Sequence, residues 1–268
     1  MLYIGIEGTD FIGKDTCIER FLEGYKYIYD IFYTREPGGS KLGKKIREII
    51  LDPNNEMSKL TEALLYAADR SIHIENIIKN NVHDIVLSNR TFLSSLIYQA
   101  DTEFEADRVA IINEIACYGA TPDYVIVFYI EDKDKFIERV SLSNREKDRI
   151  ESRGIDYLYG INQKYRSLKN SKYGDKIILI ECSGTKDEVY KKFVKEFNNI
   201  LTINDMTPKL SELIKPKSLE YEFTDEQIKD AKYWFGQGEV NVNLMISSGT
   251  ISLDNILKMY KREVLDKE

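Results

Sequence analysis

No run of apolar residues approaches the about 18 that a membrane-crossing helix needs, so no segment reads as a membrane span. Basic excess is also missing: 38 Lys and Arg stand against 45 Asp and Glu, a formal net charge of −7. A chain of that sign offers no global field for a nucleic-acid backbone, which excludes polymeric DNA or RNA as the main partner and leaves only local basic pockets. Cysteine is scarce, with Cys17, Cys117 and Cys182 widely spaced and in no CxxC or Cys/His cluster. That argues against a disulfide framework and a zinc site, and reads each thiol as a small buried apolar group. The opening "MLYIGIEG" carries no basic region or cleavage site, so the expected compartment is cytoplasmic.

What is present is a chain of 268 residues, 43% hydrophobic and 31% charged, enough for one α/β domain of about 200 residues and something smaller. Five short runs rich in Ile, Val, Phe and Tyr read as buried strands: "LYIGIE", "IYDIFYT", "DIVLSN", "YVIVFYI" and "KIILIE". Helix-length amphipathic segments separate them. This alternation predicts a five-stranded parallel sheet covered by helices over residues 1–202. In "KLTEALLYAADRSIHIENIIKN", preceded by Ser58, the apolar Leu60, Leu64, Ala67 and Ala68 recur at helical spacing, and Tyr66 and Arg70 share a face. Residues 203–268 differ in texture. There "MTPKLSELIKPKS" reads as a linker, followed by a helix capped by Thr224 or Asp225, a strand-like "VNVNLMIS" and a last helix from about Ser252.

The stretch "GTDFIGKDTC" follows the first strand and opens a helix, the setting in which unpaired backbone N–H groups and the helix dipole favour phosphate. Gly8, Gly13 and Lys14 meet the pattern GxxxxGK[ST], with Lys14 placed to reach the β- and γ-phosphates. The bland reading, a glycine turn with an exposed lysine, does not explain strand, loop and helix together. Asp15 stands where a Ser or Thr hydroxyl is usual, and Thr16 supplies a neighbouring one.

The segment "TREPGGSKLGKKIREIIL" at residues 34–51 resembles the dTMP-binding stretch of bacterial thymidylate kinases. "LLYAADR", "SNRTFLSSLIYQ" and "NREKDRIE" resemble further motifs of that family, in its order and at its spacing, and the likeness covers residues 1–202. It implies a P-loop nucleoside monophosphate kinase fold with a mobile lid, the cofactors ATP and Mg2+, and a homodimer. The phosphates of ATP fall to Gly8, Phe11, Ile12, Gly13, Lys14, Asp15 and Thr16. By the same resemblance Tyr66 stacks on the base, Arg70 bonds its carbonyl, Ser95 and Gln99 meet its edge, and Tyr98 crowds the ribose 2′ position. Asp10 would accept from the sugar 3′-hydroxyl, while Arg35, Arg47 and Arg90, assisted by Glu36, hold the monophosphate bidentately. Without the motifs, Tyr66 would read as a core aromatic and the arginines as solvated.

In "NREKDRIE" the resemblance points to Arg145 and Arg149, and more weakly to Arg153, as lid arginines that close over the transferring group. Phe11 sits where another branch of the family has an arginine, so the lid must supply the charge. Asn89 replaces the acid of the family's "DR" pair. One carboxylate is thus lost at the end of the third strand and one gained at Asp15, which predicts an active enzyme with a transposed magnesium ligand. The expected reaction is ATP + dTMP giving ADP + dTDP. Two alternatives stand beside it: a kinase of dUMP or a 5-substituted dUMP, since Thr91 replaces the family's usual aromatic residue, and a nucleotide-binding regulatory protein without catalysis.

Overall fold

The computed structural model describes residues 1–25, 29–142, 148–206 and 256–257. The linker, the helix at Thr224 or Asp225 and the strand "VNVNLMIS" lie outside them, and of the last helix only Ile256 and Leu257 are described, both helical and buried.

All five expected strands form: β1 (Leu2–Glu7), β2 (Ile31–Arg35), β3 (Ile85–Asn89), β4 (Tyr124–Tyr129) and β5 (Ile177–Glu181). They make one parallel sheet in the order β2-β3-β1-β4-β5. Every residue of β1 and β3 is buried, as expected of central strands with helices over both faces. Ile4, Ile6, Ile85, Val86, Leu87, Ile126, Val127 and Phe128 have essentially no exposed surface, and burying each such side chain is worth about 1.5–3 kcal/mol.

Eight α-helices connect the strands among the described residues: α1 (Lys14–Tyr25), α2 (Lys41–Leu51), α3 (Lys59–His73), α4 (Phe92–Tyr98), α5 (Glu103–Cys117), α6 (Lys133–Ser141), α7 (Ile155–Ser167) and α8 (Lys186–Ile203). Their starts follow local chemistry. Ser58 accepts from the Thr61 N–H at 3.1 Å and opens α3, and Thr102 with Glu105 forms a capping box on α5.

The apolar stripe expected on α3 points outward. Leu60 and Leu64 are about half exposed, whereas Glu62, Ala63, Ala67, Asp69, Arg70 and His73 are buried. The inward face of α3 borders the functional cleft, where polar groups satisfy one another, so hydrophobicity does not mark the buried side here.

Contacts divide the chain into two compact units, Met1–Cys17 with Ile31–Glu196, and Ile18–Asp30 with Phe197–Glu268. The sheet belongs to the first. In the second, Phe21 stacks on Tyr25 at 4.2 Å and meets Phe197 at 4.4 Å between ring centroids, and the Tyr25 hydroxyl donates to Asn198.

Candidate active site

The carboxyl ends of β1, β2 and β3 converge, with Ile6 and Arg35 both in register with Asn89. Ligands of open α/β sheets bind at such strand ends. An open cleft of about 830 Å³ lies there, lined among others by Asp10, Lys14, Asp15, Arg35, Glu36, Arg47, Tyr66, Asn89, Arg90, Tyr98 and Gln99. Ten of these eleven were candidate site residues on sequence grounds; Asn89 was singled out as a departure.

The phosphate loop leaves β1 through Gly8, whose φ of +139° favours glycine and where a Cβ would sit 2.6 Å from the Phe128 carbonyl oxygen. Phe11 adopts φ +71° within the loop and Arg90 φ +76° just after β3. Such conformations cost about 1–3 kcal/mol in non-glycine residues and gather at functional sites. Lys14 opens α1 and is 3% exposed. Its Nζ donates to Asn89 Oδ1 at 2.6 Å and to Asp15 Oδ1 at 2.9 Å, and Asn89 Nδ2 donates to that same Asp15 oxygen at 2.8 Å. The two positions that depart from the family pattern are thus joined to each other and to Lys14 in a closed ring of hydrogen bonds. Burial and the nearby Arg90 charge lower the Lys14 pKa, opposed by Asp15. Burial would raise the Asp15 carboxyl, but the Lys14 ammonium and the two hydrogen bonds hold it well below the usual carboxylate range. Asp15 Oδ2 has no hydrogen bond among the described residues, and the side chain is half exposed.

Arg90 spans the cleft floor. It donates to Asp10 at 2.9 Å, to the Tyr165 hydroxyl at 2.9 Å and to the Gly8 carbonyl at 3.1 Å. Burial works against its charge, but Asp10 raises its pKa well above the ordinary value. Arg35 is exposed at the cleft wall. Arg47 donates to the Pro37 carbonyl at 3.1 Å, and burial together with the nearby Arg35 charge lowers its pKa.

Tyr66 and Tyr98 also line the cleft. Arg70, one helical turn beyond Tyr66, instead lies beneath it at 2% exposure. It donates to Glu36 at 2.7 Å, Ser95 at 3.1 Å and the Thr91 carbonyl at 3.2 Å, and also to Asn113. Glu36 accepts in addition from the side of His73, whose other ring nitrogen meets Thr34 at 2.8 Å. Burial would raise the Glu36 carboxyl, yet Arg70 and His73 hold it low. Removing one partner from such a buried ion pair costs about 3–5 kcal/mol. Ser95 is 2% exposed and faces Arg70; its neighbour Ser94 is the serine on the cleft wall. Thr91 turns inward: its hydroxyl and N–H donate to Glu7 at 2.7 and 2.8 Å, and its methyl lies over Gly5, where a Cβ would come within 2.5 Å.

Of the lid candidates, Arg145 lies outside the described residues. Arg149 donates to Glu62 at 2.5 Å and to the Ile50 carbonyl at 2.8 Å, and Arg153 donates to Glu62 at 2.9 Å. Neither lines the cleft, but Asp148 and Ile150, flanking Arg149, do. Gly13, Phe11, Ile12 and Thr16 lie in or just after the loop without lining the cleft, and Thr16 is exposed.

Sequence reasoning missed Glu7, Glu62, His73, Asn113 and Tyr165. For Glu62 a signal existed, since it stands four residues before Tyr66 and so on the same helix face.

A family profile described as Thymidylate kinase matches residues 6–193. The thymidylate kinase of Campylobacter jejuni subsp. doylei is 36% identical over 199 residues, covering 73% of this chain and 99% of the relative. That of Nautilia profundicola is 34% identical over 202 residues, covering 74% and 100%. Among solved structures, thymidylate kinase from Ehrlichia chaffeensis superposes with a TM-score of 0.58 at 20% identity, over 74% of this chain and 98% of that one, which supports the fold. With a phosphate loop, a cleft at the strand ends and sequence relatives matched along almost their whole length, this chain belongs to the thymidylate kinase family.

Proposed function

We propose that the protein transfers the γ-phosphoryl group of ATP to dTMP, giving ADP and dTDP. One observation carries the reading: a single cleft holds a buried lysine at a phosphate loop, three arginines and three aspartates, together with two tyrosines and a glutamine suited to a base and sugar. A phosphate monoester is largely dianionic at neutral pH, so its oxygen can attack without a general base. The new bond forms to the γ-phosphorus as the bond to the β–γ bridging oxygen breaks. Lys14 offsets charge on the transferring group, Arg35, Arg47 and Arg90 orient the acceptor phosphate, and Asp10 accepts from the sugar 3′-hydroxyl. Tyr66 stacks on the base, Gln99 reads its edge, and Tyr98 closes the space a 2′-hydroxyl would need, while Arg70, buried beneath, braces Ser95 and the Thr91 carbonyl. The inward turn of Thr91 removes the ground for a different preference at the base 5-position.

The residues fit magnesium. Asp15 puts a half-exposed carboxylate in the cleft beside the phosphate loop, and magnesium takes one or two protein oxygens and otherwise phosphates and water. Asp15, through Oδ2, would hold it, and the ion supplies neutralisation of the β- and γ-phosphate oxygens. Asp15 and Asn89 then act as a pair. Asp15→Thr or Asn89→Asp alone is expected to lower activity. The double change should recover what at least one single change loses, with a coupling energy of about 1 kcal/mol or more. Rates read across a magnesium titration check this, and strictly additive effects at every concentration would refute the pairing.

A homodimer is supported by the exposed Leu60 and Leu64 of α3 and Ile111 and Ile115 of α5, helices that pack side by side. A cytoplasmic location is supported by three buried cysteines that form no disulfide with one another. Residues 203–268 contribute no catalytic residue, a reading supported by relatives that about three-quarters of this chain matches along almost their whole length. The test of the whole reading is turnover: ADP should be released with dTMP and not with UMP, and equal use of UMP would remove Tyr98 as a filter.

A further inference from the structure

Glu62 sits in the first turn of α3 and is 1% exposed. Its two oxygens serve different partners. Oε1 accepts from Gln99 Nε2 at 2.8 Å, and Oε2 accepts from Arg149 at 2.5 Å and Arg153 at 2.9 Å. An ionised carboxylate only accepts, so the Gln99 amide must turn its NH2 toward Glu62 and its carbonyl the other way. Gln99 is 2% exposed and lines the cleft, and that carbonyl oxygen has no hydrogen-bond partner among the described residues. Gln99 therefore holds a fixed, unused acceptor at the cleft wall, itself almost without exposed surface.

We infer that Glu62 is a positioning residue for base selection: by fixing the Gln99 amide, it makes the cleft demand a pyrimidine ring that carries a hydrogen on N3. A thymine or uracil ring supplies that hydrogen. The unprotonated N3 of cytosine offers a lone pair instead, which would face the carbonyl lone pairs of Gln99. A site with a committed hydrogen-bonding group rejects analogues that cannot answer it far more strongly than a merely apolar pocket does. The same carboxylate anchors the Arg149–Arg153 segment, so the group that reads the base and the segment bearing the arginines share one anion. The inference rests on the reading of the cleft as the acceptor site.

The test compares dTMP with 5-methyl-dCMP, which differ only along the N3 and C4 edge, as kcat/KM and as dissociation constants from calorimetry. The wild type should prefer dTMP by about 100-fold or more. Glu62→Gln keeps the shape but can donate as well as accept, so Gln99 is free to turn, and the preference should fall at least fivefold. If that variant does not fold, Glu62→Asp takes its place; it keeps the charge for the arginines, withdraws the carboxylate from Gln99, and must lower the preference likewise. A merely structural role would weaken both ligands together, and an unchanged ratio in a folded variant overturns the inference. The calorimetric ratio is independent of turnover: a base preference lost in the variant of a protein that never phosphorylates dTMP would support Glu62 and refute only the proposed reaction.

Discussion

Lys14→Met is expected to lower kcat for dTMP phosphorylation by about 10³-fold, the upper range for removing one preorganised charge from a developing anion. The Lys14 ammonium is almost fully buried and already aimed by two oxygens, one on Asn89 and one on Asp15. Its charge is expected to act on the transferring group, so its effect should fall on kcat more than on nucleotide binding. Methionine keeps the length of the stem and removes the charge. The fold should survive, because of the two partners left behind the charged one, Asp15, is half exposed and open to water, and Asn89 keeps its own bond to Asp15. Steady-state kinetics with a thermal melt as control decides the matter: a fall in KM affinity alone, with kcat within threefold, would make Lys14 a binding group only.

Arg149→Ala should lower kcat by about 10²-fold or more, with a smaller change in KM for dTMP. Phe11 leaves the loop without an arginine beside Lys14, so further charge must come from the segment that follows α6. Arg149 is now held by Glu62 and the Ile50 carbonyl, while its neighbours Asp148 and Ile150 line the cleft. To act there, Arg149 must leave Glu62 and turn toward the cleft that its neighbours line. Arg153 would keep Glu62 paired when Arg149 leaves. If Arg149 serves only as an anchor, the substitution would instead raise KM and lower thermal stability with kcat preserved, and kinetics paired with a melt separate the two outcomes.

The strands were legible because central parallel strands carry near-continuous apolar runs, LYIGI in β1 and IVL in β3, that are too short for helices. The cleft was legible where chemistry is local. Gly8, Lys14 and Asp15 fall in one loop, and Tyr66, Tyr98 and Gln99 in two motifs. What the sequence hid is pairing across distance. Glu7 meets Thr91 and Ser94, His73 meets Thr34 and Glu36, and Glu62 meets Gln99, Arg149 and Arg153. Each looks like an ordinary polar residue until the fold brings its partner in. For the same reason Arg70, read as a base contact, sits at the centre of a buried network, and the apolar stripe of α3 marks its outer face.

The central claim is the phosphorylation of dTMP, and it is tested most directly by ADP release from ATP with wild-type protein across dTMP, dUMP, dCMP and dGMP. Formation of the matching diphosphate would be followed in parallel. The account predicts ADP and dTDP in equal amounts with dTMP, weaker use of dUMP, and kcat/KM at least about 100-fold lower for dCMP and dGMP. A folded protein that binds ATP yet releases no ADP above background with any of the four would contradict it.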